Sequence, residues 1–315
     1  MQIVAQGWLI YRLSHSSRLL ALDQVLGGLP IFLFSILGGV VADRTERRKI
    51  LLASQYIQMA SAATLTVLVT MGLTQVWPIL CLSFVSGTAQ AFGGPAYLSL
   101  IPTLVDRDDM PNAIALNSIQ FNLAVTIGPA LGGLTLASLG EKWCFGLNAL
   151  SFLAPIISLS IITTRFIPDP SKDSMYKSLM QGVRFVWHHG SMVALIVLAF
   201  AIAFLAMPMG TYIPVFVKDI FNRGPQTYGT LLSLVGVGSI VGSLGVAGLG
   251  NLSRKGRFAL SMLIVLGMGI AGFSLSRFLF LSYAMLLIVG ASRMAVFSLR
   301  STAAILTHSA VRRTE

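Results

Sequence analysis

The side chains best suited to chemistry are concentrated in a short segment between two long apolar runs. Residues 43–49 read Asp-Arg-Thr-Glu-Arg-Arg-Lys, so acids and bases crowd together over two helical turns. Asp43 can accept charge-assisted hydrogen bonds from Arg44 or Arg47. A glycine four residues earlier would let a neighbouring helix approach closely. We interpret the segment as a gating motif that holds one conformation of the protein. The alternative is a solvated turn. The residues of the motif are Gly39, Asp43, Arg44, Arg47 and Arg48.

Two further ionisable side chains lie inside apolar runs, where a charge is costly and marks a functional candidate. Asp23 could carry a proton or reach the nearby membrane interface. Arg293 could bind an anionic group of a substrate, pair with an acid or pack against a neighbouring helix. Gln120 is one of several uncharged amides that could line a polar cavity, although such amides more often bond between helices. We take Asp23, Gln120 and Arg293 as the candidate substrate or proton site.

Other kinds of chemistry have no sequence signature. The chain contains no phosphate-binding loop of the Walker type, no metal-ligand cluster and no nucleophile triad. Cys81 and Cys144 both lie in apolar runs and are interpreted as small packing residues. The sequence therefore disfavours an ATP-driven pump or a hydrolase, and it predicts a protein that is not an enzyme and binds no cofactor or metal.

The apolar runs indicate that lipid surrounds most of the chain. Residues 50–105 carry no charged side chain, and the whole chain is 55% hydrophobic and 10% charged. A helix that crosses a bilayer needs about 20 mostly apolar residues, whereas soluble domains are about a quarter charged. The predicted fold class is therefore an all-α polytopic membrane protein.

The predicted spans comprise one partial helix and nine complete ones. Residues 1–12 would cover only about 17 Å, roughly half of the hydrocarbon core, and they end in Trp8, Tyr11 and Arg12, which is typical of the outer interface. The complete spans are predicted at 19–42, 50–71, 76–101, 112–138, 143–165, 191–216, 226–250, 258–276 and 279–304.

The positive charge predicts topology and not nucleic-acid binding. The net charge is +11, and most of the 22 lysines and arginines fall in alternate loops on one side of the predicted spans. By the positive-inside rule that side is cytoplasmic. We expect a multi-pass protein of the cell inner (plasma) membrane, with the lipid bilayer as its surroundings.

The longest polar interruption divides the predicted helices into six and four. Residues 1–165 would form an N-terminal bundle, 166–190 a cytoplasmic linker and 191–315 a C-terminal bundle. Within the linker, apolar residues recur at helical spacing from Tyr176 to Trp187, which predicts an amphipathic surface helix. The alternative is a flexible linker.

Two segments resemble known motifs. Gly39-Val-Val-Ala-Asp43-Arg44-Thr-Glu-Arg47-Arg48 resembles the signature loop of the major facilitator superfamily, a large family of membrane transporters. In the predicted fifth helix, Gly128-Pro129-Ala-Leu-Gly132-Gly133 resembles the antiporter motif of the drug-efflux branches, with Ala124 in place of one further glycine. Proline removes a backbone donor and bends a helix, so we interpret this second segment as a helix-bending motif. The alternative is a kinked packing helix that encodes no transport direction.

The wider pattern resembles the enterobactin exporter-like branch of the superfamily. The resemblance rests on Val4-Ala-Gln-Gly-Trp8, on the Asp-Arg loop and on residues 110–120, Met-Pro-Asn-Ala-Ile-Ala-Leu-Asn-Ser-Ile-Gln. It implies a two-bundle fold and secondary active export of a small amphipathic molecule, siderophore-like or drug-like, by alternating access. Protons are one possible coupling ion. Phe84, however, occupies the place of an arginine that proton-coupled drug exporters often keep.

The resemblance also implies more helices than this sequence contains. The superfamily has two six-helix halves, and about ten of those twelve helices are predicted here. We therefore expect a piece of a longer exporter. The alternatives are a non-transporting remnant, a partner-binding subunit, or an uptake transporter with the same fold.

Overall fold

The chain is almost entirely helical in the residues that its computed structural model describes, which are 1–106, 108–162, 193, 197, 209–248 and 255–311. A 3₁₀ turn covers Ile101–Thr103 and a π-helical turn covers Phe216–Ile220. The α-helices are α1 Gln2–Ser14, α2 Ser17–Arg44, α3 Arg47–Thr70, α4 Val76–Leu100, α5 Met110–Leu139, α6 Glu141–Ser151, α7 Leu153–Ile161, α8 Pro225–Gly248, α9 Lys255–Leu275 and α10 Leu279–Val311.

Lipid is the solvent that these helices require. In the described residues, 8 segments are long and apolar enough to cross a membrane. Many large apolar side chains face outward from them; Phe32 is 80% exposed and Phe280 is 86% exposed. A soluble protein would bury such side chains, whereas a bilayer accommodates them. The prediction of an all-α, multi-pass membrane protein is confirmed.

One predicted span differs from the structure, and another lies mostly outside the described residues. The span predicted at 143–165 is divided at Phe152 into α6 and α7, and it begins earlier, at Glu141. The span predicted at 191–216 lies mostly outside the described residues. So do the linker at 166–190 and its amphipathic helix, and the predicted domain boundaries remain predictions.

The described residues fall into two compact units. The first contains α1 to α4, α6, α7 and both ends of α5, and the second contains Thr126–Leu134 of α5 and the helices from residue 209 onward. In the first unit, α1 packs against α2, α4 and α6. Trp8 and Tyr11 are consequently buried, at 6% and 2% exposure, and their place at the outer membrane interface remains a prediction. An amphipathic aromatic residue packs equally well between helices.

In the described residues, each unit contains a pair of helices whose backbones approach closely at glycines. In the first unit α4 lies against α2 so closely that a Cβ atom on Gly87 would overlap the carbonyl oxygen of Gly27, and one on Gly38 would overlap that of Ala91. In the second unit α10 lies equally close to α8 at Gly238 and Gly242. Glycine allows such approach, and dispersion between the two backbones stabilises the pair in lipid.

Replacing Gly87 with alanine should destabilise the first unit. The added methyl group has no space beside Gly27, so α2 and α4 must separate, at a cost of roughly 1–3 kcal/mol. Thermal unfolding of the purified protein in detergent measures the effect. Gly28→Ala is the matched control, since a Cβ atom at Gly28 meets nothing within 4 Å. Equal melting temperatures for the two variants would contradict the proposed packing.

Candidate functional site

The charged segment forms a tight turn between α2 and α3. Helix α2 ends at Arg44 and α3 begins at Arg47, leaving Thr45 and Glu46 to reverse the chain. Asp43 is exposed, and its Oδ1 lies 3.9 Å from Nη2 of Arg47. That distance is an ion pair and is too long for the charge-assisted hydrogen bond expected between these two residues. Lys49 and Glu46 pair more closely, at 2.8 Å.

Two of the three arginines in this segment bind the carboxyl ends of other helices. Arg47 donates from Nη1 to the carbonyl oxygen of Ser99 in α4, at 2.8 Å. Arg48 donates from Nε to the carbonyl oxygen of Leu159 in α7, at 2.6 Å, and from Nη2 to that of Ser160, at 2.8 Å. The last carbonyl groups of a helix lack partners within the helix, and a cation there also meets the negative end of the helix dipole. The basic pair therefore fastens α4 and α7 to the start of α3.

The glycine of the motif does not mediate a close approach in the described part of the chain. A Cβ atom on Gly39 would meet nothing within 4 Å, whereas one on the preceding Gly38 would overlap α4. The close packing assigned to Gly39 from the sequence thus belongs to Gly38. Helical periodicity is the reason, because adjacent residues point about 100° apart and only one of them faces α4.

A large groove lies within the first unit, between α2, α4 and α5. Its volume is about 1090 Å³, and none of the described residues that line it is charged. Its polar lining consists of uncharged groups, and Tyr97 donates from its hydroxyl to Oδ1 of Asn117, at 2.5 Å. Its polar and aromatic lining residues include Ser35, Gln90, Tyr97, Asn117, Gln120 and Phe121. By contrast, a groove of about 490 Å³ between α3 and α4 is lined almost wholly by apolar side chains.

The three candidate substrate or proton residues are found in different places. Gln120 lines the large groove, together with two further amide side chains, Gln90 and Asn117. Asp23 does not line that groove and is buried where α1, α2 and α4 meet. Arg293 is half-buried in α10 of the second unit, whose described part contains Asp219 as its one acidic residue.

Asp23 has two polar partners that sequence reasoning did not assign to it. Gln6 of α1 donates from Nε2 to Oδ1 of Asp23, at 2.7 Å, and Ser83 of α4 donates from Oγ to the same oxygen, at 2.5 Å. All three side chains are buried. Gln6 was visible as a polar residue in an apolar run, but a serine in a membrane helix carries no such signal, because it can bond to its own backbone.

The helix-bending motif lies in the middle of α5. Pro129 is inside the helix, which continues on both sides of it. Gly133 packs against Gly229 of α8 within the second unit, since a Cβ atom on Gly133 would lie 2.7 Å from the Cα atom of Gly229. A Cβ atom on Gly128 would meet nothing within 4 Å. The tight packing expected of the motif is therefore present at Gly133.

Comparison with known proteins identifies the family. The family described as "transmembrane secretion effector" matches residues 1–312. The chain belongs to this family. Membership confirms the resemblance to major facilitator transporters and agrees with the prediction that the protein is not an enzyme.

Similar proteins include two named for export. The "multidrug efflux pump Tap" of Mycolicibacterium fortuitum is 24% identical over 275 residues, which cover 84% of this chain and 67% of that protein. The "enterobactin exporter EntS" of Shigella boydii serotype 4 is 27% identical over 247 residues, covering 78% of this chain and 59% of that protein. The matched part of this chain thus corresponds to about two thirds or less of each relative.

Solved structures show the same fold. An inward-facing bacterial homologue of the human lysosomal transporter Spinster superposes with a TM-score of 0.63 at 19% identity, covering 96% of this chain and 70% of that one. The xylose transporter XylE from E. coli, in a partially occluded inward-open conformation, gives 0.69 at 13% identity, covering 97% and 80%. The predicted major facilitator-like fold class is confirmed.

Removing the guanidinium group of Arg48 should loosen α7. In Arg48→Ala the carbonyl groups of Leu159 and Ser160 lose their donors, and Arg48→Lys offers a single nitrogen in place of a fork. We expect hydrogen exchange of the amides in residues 153–161 to be fastest in the alanine variant, intermediate in the lysine variant and slowest in the wild type. Arg18→Ala, at an exposed arginine of α2, is the control and should exchange as the wild type does. No change in α7 would show that Arg48 does not hold this helix end.

Proposed function

We propose that the protein is a secondary active exporter of a small amphipathic molecule and works by alternating access. The observation that supports this most directly is the groove between α2, α4 and α5. Its lining is mostly apolar, with a few uncharged hydrogen-bonding groups, which suits a partly apolar solute of drug or siderophore size. The names of the two relatives, an efflux pump and an enterobactin exporter, favour export over uptake.

The groove suggests the chemical class of the substrate. Gln90, Asn117 and Gln120 can each donate and accept, and Phe121 supplies an aromatic face. The described lining has no charge to balance an ionised substrate, and burying an unpaired charge is costly. We therefore propose a neutral amphipath with several oxygen or nitrogen acceptors as the preferred substrate.

The two motifs are proposed as the moving parts. Gly39, Asp43, Arg44, Arg47 and Arg48 would form the cytoplasmic gate, and Gly128, Pro129, Gly132 and Gly133 the bending segment of α5. Among the described residues the exposed carboxylate of Asp43 is held by a long ion pair alone, which would make it available for a second contact when the transporter changes conformation. Arg47 and Arg48 would keep the ends of α4 and α7 fixed while that change occurs.

The site of action that we propose is the bacterial inner membrane, with the Asp-Arg turn on the cytoplasmic side. The excess of basic residues on that side supports the orientation.

The proton is the proposed coupling ion. Arg293 is proposed to contribute to the substrate path of the second unit, where its described surroundings offer little acidic charge.

Transport is tested in vesicles that contain the purified protein, with an imposed proton gradient and matched fluorescent amphipaths that are neutral, cationic or anionic. We expect gradient-dependent movement in the outward direction, fastest for the neutral compound. Movement in the opposite direction would indicate uptake, and no movement of any compound would favour a non-transporting role.

Gln120→Leu should weaken substrate binding. The change keeps the size of the side chain but removes its donor and acceptor from the groove, so we expect KM to rise roughly two- to tenfold, the value of one hydrogen bond. Ser118→Ala is the matched control on α5, because the Ser118 hydroxyl bonds to the carbonyl oxygen of Ile114 in its own helix. If both variants transport like the wild type, the groove is not the substrate site.

Asp43→Asn should slow efflux without preventing folding. The substitution removes the negative charge that attracts Arg47 while leaving an exposed side chain of the same shape. Asp108→Asn, at an exposed acid in the turn before α5, serves as the control and should leave the initial efflux rate unchanged. An Asp43→Asn rate equal to that of the control would reject the gate.

A further inference from the structure

Five buried or half-buried polar side chains of the first unit are joined by hydrogen bonds across four helices. Asn148 of α6 donates to Oε1 of Gln2 at 2.8 Å, and Gln2 donates to Oε1 of Gln6 at 3.4 Å. Gln6 donates to Oδ1 of Asp23 at 2.7 Å. Asp23 is therefore the final acceptor of a chain that runs from α6 through α1 to α2, and Ser83 joins it from α4.

The carboxyl group at the end of this chain has an unusual environment. Asp23 is 6% exposed, and its hydrogen-bond donors in the described residues, Gln6 and Ser83, are both neutral. Both donors bond to Oδ1, so one carboxyl oxygen is fully used and Oδ2 is left for a proton. A neutral carboxylic acid suits this geometry, because Oδ1 then acts as a carbonyl oxygen with two acceptor sites. An ionised carboxylate buried without a cation would be costly.

The titratable groups on the neighbouring described helices do not place a cation in contact with Asp23. Arg12 of α1 pairs with Glu141 of α6 at 3.1 Å, and neither bonds to Asp23. Within the described helices α1 to α4 and α6, Asp23 forms no ion pair with any other titratable side chain. The other titratable residues on α2 near Asp23 and on the elements packed against it are Tyr11, His15, Arg18, Tyr56, Cys81, Tyr97, Lys142 and Cys144.

The Ser83 hydroxyl has a second acceptor, which would keep it hydrogen-bonded if Asp23 moved away. The Ser83 hydroxyl lies 2.5 Å from Oδ1 of Asp23 and 3.1 Å from the carbonyl oxygen of Ile79, but it has one hydrogen to donate. If Asp23 moves toward water, the hydroxyl turns to Ile79, and Gln6 loses its bond to Asp23 but still donates from Nε2 to Oγ of Ser83, at 2.5 Å. Separation of α2 from α4 at this point therefore leaves the Ser83 hydroxyl bonded, and the hydrogen bond that is lost on the protein side is the one from Gln6 to Asp23.

We propose that Gln6, Asp23 and Ser83 form a proton-binding site that controls how tightly α1 and α6 pack onto α2 and α4. With the proton on Oδ2 the unit is packed as described. When the proton passes from Oδ2 to a water molecule, the carboxylate must be hydrated, and water enters between α1 and α2. The loss of the Gln6 contact then releases Gln2 and Asn148, so α6 responds to a proton bound on α2.

This proposal deepens the proton coupling proposed above, and its test needs no substrate. Failure of transport and failure of the switch are thus observed separately. The chain contains a natural reporter, since Cys144 of α6 is fully buried one turn before Asn148. Cys81 is exposed and is replaced by serine, so that a small maleimide reports on Cys144 alone.

The experiment measures the rate of Cys144 labelling against pH in purified wild type and Asp23→Asn, both with Cys81→Ser. Asparagine imitates the protonated acid, and the ratio of the two rates at each pH cancels the ionisation of the thiol. We expect a ratio near one in acid that rises at least about fivefold in alkali, the lower end of typical coupling between sites. Asp108→Asn should follow the wild type.

A constant ratio near one over the whole pH range would overturn the proposal, and so would faster labelling of Asp23→Asn at every pH. Ser83→Ala provides a second test if Asp23→Asn does not fold. It removes one hydrogen bond from the packed state, so the rise in labelling should move to lower pH by roughly half a unit to one unit. An unshifted profile in Ser83→Ala would also reject the site.

Discussion

The absence of water around the helices is the constraint on which the structure depends. In lipid, backbone donors and acceptors must be satisfied within the helix, and polar side chains must find partners in the protein. Serine and threonine hydroxyls along the described helices accordingly donate to carbonyl groups one turn earlier, as Ser61, Thr66 and Ser292 do. Polar groups that instead bond between helices, such as Gln6 and Asp23, fix particular helices together.

Close helix pairs contribute to stability beside these polar contacts. Apolar burial contributes little between helices that are already surrounded by hydrocarbon, so backbone approach at glycines becomes important. The same arrangement occurs in both units, with α2 against α4 in the first and α8 against α10 in the second. The repetition agrees with the parallel structural repeats on which major facilitator transporters are built.

Charge has different roles at the two ends of α2. At the Asp-Arg turn the cations act on helix carbonyl groups, and only a long ion pair links them to Asp43. At Asp23 the carboxyl group is buried among neutral donors. The first arrangement stabilises helix ends in either protonation state of the protein. In the proposal made above, the second arrangement depends on a proton, so a change in pH or in proton gradient would act there first.

The sequence by itself determined the solvent, the helical class and the family, because apolar runs of membrane-spanning length and the spacing of the Asp-Arg loop are properties of consecutive residues. Tertiary structure decided which side chains meet. Gln90, Asn117 and Gln120 line one groove, and Gln6 and Ser83 donate to Asp23. The close helix approach expected at Gly39 occurs at Gly38. Trp8 and Tyr11 are buried between helices. The physical reason is that lipid accepts apolar residues on every face of a helix. The hydrophobic pattern therefore does not indicate which face of a helix is covered by a neighbouring helix.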